Sequence, residues 1–393
     1  MAARSTGVMQ LLAAKEMVVV CGSGGTGKTT IAAALGARAA RDLGGRVLVL
    51  TVDPARRLAS ALGLDTGTGP GIGHDPVRVA DAAFSAAGRP ARGELWVAML
   101  DTKAGWDELI RRHAPDPALR DQVLANPLYQ NVTGRFVHSH DYIAMEKLHE
   151  LHASGDYDLV IIDTPPSRNA LDLLDAPGRM KEFFGSRLLR WLTVPYRSRL
   201  FTVASKPFYQ VADRVLGSRF LQDIAEFFIL FQSMERGFVA RADQIETLLT
   251  DDRTTFIVVS TLEAAPSHEA RFLVDELRHR DMPLGAVVIN RSLPTRLGQQ
   301  VVARAATVLA NAAEPADEAM VEVATLVGAT PASVAGVLHE AADRFRDVAV
   351  IAAREAERRR DLQAVAPLVG EVPTQPSDVH DLAGLLDVAD ALR

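Results

Sequence analysis

The chain has one cysteine, Cys21, in 393 residues. No intrachain disulfide can form, and neither a Cys-x-x-Cys zinc clasp nor a multi-thiol metalloid site can be built from one chain, so a reducing, cytoplasmic setting is expected. Lysine is scarce as well: six occur, and arginine supplies the rest of the positive charge. There is no apolar run of about 18 residues, so no transmembrane segment is expected. Met1 to Lys15 lacks an apolar core with basic flank and cleavage site, so no signal peptide is expected. A net charge of −6 leaves no basic footprint, and no nucleic-acid partner is expected. What is present, 48% hydrophobic and 23% charged residues, is ordinary for a soluble globular chain long enough for one large α/β domain or two domains.

Short β-rich apolar runs alternate with longer helical patterns. The runs are Met17–Cys21, Arg46–Val52, Leu95–Leu100, Asp158–Asp163, Thr255–Thr261, Leu284–Asn290 and Pro367–Val372. Such runs, bounded by turn signals, suit strands covered on both faces. The fold class expected is α/β, a doubly wound and mainly parallel sheet. Glycine and proline crowd Asp65–Pro76, a loop, and residues 103–156 read as mostly helical. Residues 179–250 show no strand pattern and read as a helical insertion. This divides the chain into the first part of an α/β core (1–178), the insertion (179–250) and the second part of the core (251–393). Within the insertion, Phe220–Met234 is apolar around much of its circumference, either buried in the chain's own core or covered by a partner. Ala353–Leu362 is charge-dense and reads as a solvated helix face.

Residues 22–29, Gly22-Ser23-Gly24-Gly25-Thr26-Gly27-Lys28-Thr29, match G-x-x-x-x-G-K-[ST] in full. They follow an apolar run and open the alanine-rich stretch Thr30–Ala40, the context in which this motif is a phosphate-binding loop. Its glycines let backbone N–H groups turn inward onto phosphate oxygens, and the following helix adds its positive end. Lys28 is placed to reach the β- and γ-phosphates of a nucleoside triphosphate, and the Thr29 hydroxyl to ligate Mg²⁺. Two further segments carry carboxylates. Asp163 closes the apolar run Tyr157–Asp163 ahead of Thr164-Pro165-Pro166-Ser167, where the Mg²⁺ shell needs a negative partner. Asp53, in Thr51-Val52-Asp53-Pro54, stands at a strand end, where an acid orients or deprotonates the attacking water. The alternative for Asp53 is a cap on the following turn.

With these segments in this order the chain resembles the deviant-Walker ATPases of the arsenite-pump and tail-anchored-protein-targeting type. The matching stretches are GSGGTGKTT (22–30), TVDPARRLASALG (51–63), YDLVIIDTPPSRNALDLL (157–174), SHEARFLVDELRHRDMPLGAVVIN (267–290) and VGEVPTQPSDVHDLAGL (369–385). The resemblance implies an ATPase using ATP and Mg²⁺, working as a homodimer or as a heterodimer with a related ATPase. It makes Gly22, Ser23, Gly24, Gly25, Thr26, Gly27, Lys28, Thr29 and Thr30 nucleotide-binding, with Lys28 and Asp53 catalytic. Thr29 becomes the metal ligand, and Asp163 its partner through water. Asn290 would end the strand that reads the adenine edge, and Pro373 would begin the loop packed on that base. The insertion corresponds to the region that builds a groove for a hydrophobic client or membrane-protein partner. The chain departs from the family pattern at Ser23, where a lysine usually reaches across the dimer. A cis substitute must then be an arginine (Arg56, Arg57 and Arg168 are nearest), or a paralogous subunit brings its own lysine.

Three functional classes follow: an ATP-driven dimeric switch acting on a client or partner, a weakly hydrolysing regulatory subunit of a heterodimer, and an energiser of an anion efflux channel. A lesser signal is the histidine cluster His138, His140, His149 and His152. Glu146, His149 and His152 fall near one helix face, so the readings are metal ligation or, more simply, hydrogen-bonded histidines.

Overall fold

Successive residues of strand β1 (Met17–Gly22) serve two different cores. Met17, Val19 and Cys21 enter one apolar cluster, and Val18 and Val20 the other. Alternate side chains of a strand point to opposite faces, so a strand apolar at every position must be covered on both. In the computed structural model this strand is central. The model describes residues 7–52, 62, 73–114, 116–126, 129–130, 139–186, 227–228, 231–298, 300–314 and 317–392.

The remaining strands are β2 (Arg46–Thr51), β3 (Val77–Arg78), β4 (Glu94–Met99), β5 (Leu159–Asp163), β6 (Thr254–Ser260), β7 (Leu284–Ser292) and β8 (Val369–Pro373). They form one sheet in the order β3-β4-β2-β5-β1-β6-β7-β8. Every pairing is parallel except β3 with β4. The seven expected strands are all present, with ends shifted by a residue or two. The eighth, β3, was not expected: it has two residues, pairs antiparallel at the edge, and follows the Gly- and Pro-rich stretch.

The described helices are α1 (Gly7–Ala13), α2 (Lys28–Asp42), α3 (Asp81–Ala86), α4 (Thr102–His113), α5 (Pro117–Ala125), α6 (Ser139–Ala153) and α7 (Ser167–Gly185). They continue with α8 (Glu235–Thr250), α9 (Ala264–His279), α10 (Gln300–Asn311), α11 (Glu318–Val327), α12 (Pro331–Val365) and α13 (Leu382–Ala391). Buried side chains of α1, α2, α3 and α13 join one cluster, and those of α4, α6, α7, α8 and α9 the other. The sheet is therefore doubly wound. Asp101, Asp116, Thr330 and Asp381 cap α4, α5, α12 and α13 by accepting backbone N–H groups of the first turn.

Described residues within 179–250 are helical or irregular, and α7 runs through position 178 unbroken. Residues 187–226 of that stretch lie outside the described residues. The aromatic side chains described there pack on the core, Phe184, Phe227, Phe231 and Phe238 buried and Phe183 and Phe228 partly so. Phe184, Phe231 and Phe238 pack on each other at centroid distances of 5.1–5.4 Å, and Trp106 of α4 and Tyr142 of α6 close the group. For Phe227, Phe231 and Met234, burial in the chain's own core is what the structure shows.

Among the described residues, most of the exposed large apolar side chains lie elsewhere. Helices α10 to α12 fill the connection between β7 and β8, and Val321, Leu326, Val327, Val337 and Ile351 are exposed there. Among the described residues no single helix is long and apolar enough to cross a membrane. The pair α11 and α12 meets both requirements only together, across a bend of 100°. The charge-dense stretch 353–362 belongs to α12 and is not wholly solvated. Arg359 is buried and ion-paired with Glu371 of β8 (2.8 Å), and Arg358 donates to the Leu262 carbonyl (2.7 Å). Glu355 accepts the Leu293 N–H (3.0 Å), so this end of α12 is tied to the ends of β6, β7 and β8.

Among the described residues no three His, Cys, Asp or Glu side chains are placed to hold a metal. Glu146 instead accepts from Tyr142 and pairs with Arg241 of α8 (2.9 Å), and His152 pairs with Glu16 (2.9 Å). His138 lies outside the described residues.

Two expectations follow. Phe238 is 2% exposed at the centre of the aromatic group, so Phe238→Ala should cost about 3–5 kcal/mol, read as a fall in denaturant midpoint. His113 of α4 and His149 of α6 are both held below the ordinary imidazole value of 6.5, first by burial and then by the Arg241 charge. A depressed folded value means the unfolded chain takes up protons first as pH falls. Their contribution to stability is complete above pH 6.5 and shrinks below it, as pH falls toward the depressed folded values. A His113→Gln/His149→Gln variant should lose less stability than wild type between about pH 7 and 5, checked by urea unfolding across that range.

Candidate functional site

Strand β1 ends at Gly22, whose φ is +152° and where a Cβ would lie 2.1 Å from the Val259 carbonyl oxygen of β6. Only glycine lets the chain leave the sheet there. The loop then turns through Ser23 to Gly27 and enters α2 at Lys28. Gly27, at φ +89°, is the N-cap, and no side chain caps the helix. The first-turn N–H groups of α2 are left for an anion. Gly24 and Gly25 at the crest are exposed, and a Cβ on Gly25 would meet nothing within 4 Å. Thr30 lies in the first turn of α2, half-buried. The loop is open outward and fixed underneath.

Its fixings are specific. The Ser23 carbonyl accepts from both the Thr26 hydroxyl (2.9 Å) and the Lys28 ammonium (2.9 Å). The Asn290 side-chain amide at the end of β7 donates to the Thr26 carbonyl (2.8 Å). A Cβ on Gly27 would sit 2.3 Å from that same amide nitrogen, so a second glycine is dictated by Asn290. Ser23 is buried, and its hydroxyl has no hydrogen-bond partner among the described residues.

Asp163 closes β5 between β1 and β2 and is 1% exposed. Its Oδ2 accepts from the Thr29 hydroxyl of α2 (2.6 Å) and the Thr51 hydroxyl of β2 (3.1 Å). Its backbone carbonyl accepts the Val52 N–H (3.2 Å). A carboxylate beside a hydroxyl, with nothing soft nearby, is the hard-oxygen donor set that Mg²⁺ takes, and the residues fit that ion. The one thiol offers no competition. Burial pushes Cys21 up to about 12, against the partial pull of the Lys28 charge, so it stays protonated.

The structure thus brings Lys28, Thr29, Asp163 and Asn290 around one loop. Pro373 ends β8 beside β7, where Thr374 donates through its N–H to Ser292 (3.1 Å) and through its hydroxyl to Arg291 (3.2 Å). Asn290 bonds the phosphate loop and the backbone N–H of Arg291, which is itself left-handed at φ +54°. Asp53, Arg56 and Arg57 lie outside the described residues, as does the Arg168 side chain. Two contacts of the site were not foreseen from sequence. Thr51 faces Asp163 because β2 and β5 pair in that register, a cue that was available in its place before Val52-Asp53. His140, at the start of α6, donates from Nε2 to the Val52 carbonyl (3.1 Å), and no local pattern signals it.

The family model described as "Anion-transporting ATPase" matches residues 15–308. An uncharacterized protein of Streptomyces coelicolor is 28% identical over 277 residues, covering 70% of this chain and 62% of its own length. The ATPase BagA of Mycobacterium tuberculosis is 24% identical over 405 residues, 99% of this chain and 95% of its own. An ATPase ASNA1 homolog of Entamoeba dispar is 24% identical over 285 residues, 71% and 77% respectively. With the phosphate loop, the carboxylate beside its threonine and a model match over most of its length, the chain belongs to the anion-transporting ATPase family.

Proposed function

We propose that the protein is a Mg²⁺-dependent ATP hydrolase that works as a dimeric switch, coupling ATP binding and hydrolysis to a helical region that meets a client or partner. The observation that carries this reading is the 2.6 Å contact between Thr29, on the helix that opens the phosphate loop, and Asp163, on the strand beside it. Thr29 and Asp163 would hold the ion, Asp163 through water, and the bound Mg²⁺ would neutralise charge on the β- and γ-phosphate oxygens. Lys28 lies along the loop floor and exchanges the Ser23 carbonyl for phosphate oxygens when nucleotide enters. The backbone N–H groups from Gly22 to Thr30 and the uncapped start of α2 receive the remaining phosphate oxygens. Asp53, two residues past the β2 end that Asp163 organises, orients the attacking water. Asn290 and Pro373 form the side that meets the base. The exposed apolar residues of α11 and α12 support a partner-binding role for the helical parts.

A second reading, a weakly hydrolysing subunit paired with a lysine-bearing paralogue, is favoured by Ser23, whose buried, uncharged side chain has no reach beyond its own loop.

The test is ATP turnover with light-scattering mass on the same samples, for wild type, Asp53→Asn and Lys28→Ala. Mg²⁺-dependent turnover by a dimer is expected. Asp53→Asn should lower kcat by about 10²–10⁴-fold with ATP still bound, and Lys28→Ala should weaken nucleotide binding itself. Wild-type ATP binding with negligible turnover selects the second reading, and equal turnover in wild type and Asp53→Asn removes Asp53 from the chemistry. Asn290→Ala leaves the Thr26 carbonyl without its side-chain donor. It should raise the dissociation constant for ATP and cost about 1–3 kcal/mol of stability, measured by titration calorimetry and thermal unfolding.

A further inference from the structure

Val52 is fully buried, and its peptide groups are held from two sides. Its N–H donates to the Asp163 carbonyl (3.2 Å), and the preceding residue is fixed by the Thr51 hydroxyl on Asp163 Oδ2 and by the Leu100 N–H on the Thr51 carbonyl (3.0 Å). The Val52 carbonyl belongs to the peptide unit that leads into residue 53, and at the strand end no neighbouring strand supplies its donor. His140 does so, from Nε2 at 3.1 Å.

A carbonyl can only accept, so Nε2 of His140 must carry a proton. In the neutral ring Nδ1 is then an acceptor, and the Thr102 hydroxyl lies 2.5 Å from it. Thr102 is the first residue of α4, whose N-cap Asp101 accepts from Ala104 N (2.9 Å). Thr102 thus donates to Nδ1, selects the Nε2–H tautomer and turns the ring toward Val52. The doubly protonated ring keeps the same Nε2–H, so only the neutral Nδ1–H tautomer breaks the contact. Two helix starts, α4 and α6, converge through one imidazole on the last described carbonyl before Asp53.

We propose that His140 is a positioning residue for ATP hydrolysis: it fixes the Val52 peptide and through it the approach of Asp53 to the attacking water, with Thr102 setting its tautomer. The proposal rests on the reading that Asp53 acts on that water. It assigns His140 no contact with nucleotide. A displacement of about 1 Å in a group that aligns a reactant costs up to about 100-fold in rate, so the effect belongs in kcat.

The experiment is single-turnover ATP hydrolysis, with separately measured ATP affinity and thermal midpoint, on the full chain. His140→Leu should lower the rate by about 10-fold or more with ATP affinity within about twofold of wild type. His140→Gln, which keeps an N–H at the reach of Nε2, should restore most of the rate, and Thr102→Val should fall between. In an Asp53→Asn background His140→Leu should have no further effect, because both act through the same group. Wild-type rates in His140→Leu, losses that simply multiply in the double variant, or a rate that tracks the thermal midpoint with no rescue by glutamine each overturn the proposal. Nitrogen-15 shifts of the His140 ring give a readout independent of turnover: an Nε2–H ring is expected, and a neutral Nδ1–H ring overturns the assignment. Asp53→Asn with wild-type rate defeats the underlying reading instead, an outcome separate from failure of the His140 variants alone.

Discussion

The site depends on one buried carboxylate. Asp163 is withdrawn from water, and a charge in that position is tolerated only when donors surround it. The donors come from the helix and the strand that must be held against β5. Thr29 brings the start of α2, Thr51 the end of β2, and the Asp163 backbone takes the Val52 N–H. Satisfying this one group therefore sets the distance between the phosphate loop and the strand end that precedes Asp53. A substitution at Asp163 would cut the side-chain ties to α2 and β2 at once.

The sheet makes such a convergence possible. β1 lies between β5 and β6, and β2 lies beyond β5, so the loops after β1, β2 and β5 leave the same edge. Both faces are closed by helices, which keeps these loops at the rim while the strands below are immobilised. Asn290 extends the arrangement to the far side. It hydrogen-bonds the phosphate loop at Thr26, and Gly27 is glycine because that amide occupies the place of a side chain. The end of β7 and the phosphate loop are thus in direct contact before any ligand arrives.

Much of this was legible in the sequence, and the exceptions have physical reasons. Seven strands announced themselves because burial on both faces leaves apolar residues at every position, as in Val18-Val19-Val20. β3 did not, since two residues pairing at an edge need no apolar run. The phosphate loop was legible because its glycines, Lys28 and Thr29 are consecutive. Asp163 was legible because it follows a buried run. The interior placement of Phe227, Phe231 and Met234 was left open, because a helix apolar all round looks the same whether its own core or a partner covers it. The contact of His140 with Val52 was invisible, as it joins residues 88 apart that no period relates. The solvated reading of 353–362 fell short at Arg359, whose partner Glu371 arrives on the last strand.

Helix α12 has a mechanical consequence. Its C-terminal part is pinned to the ends of β6, β7 and β8 through Arg358, Glu355 and Arg359, next to Asn290 and Pro373. From Glu355 back to Pro331 the helix runs about 36 Å at 1.5 Å per residue, and α11 hangs from the far end. A rigid rod of that length pivoting at its pinned end amplifies angle into distance: a tilt of about 5° moves the tip by about 3 Å. Any change of angle at the pinned end is therefore delivered, enlarged, to Val321, Leu326 and Val327, the apolar side chains that face water.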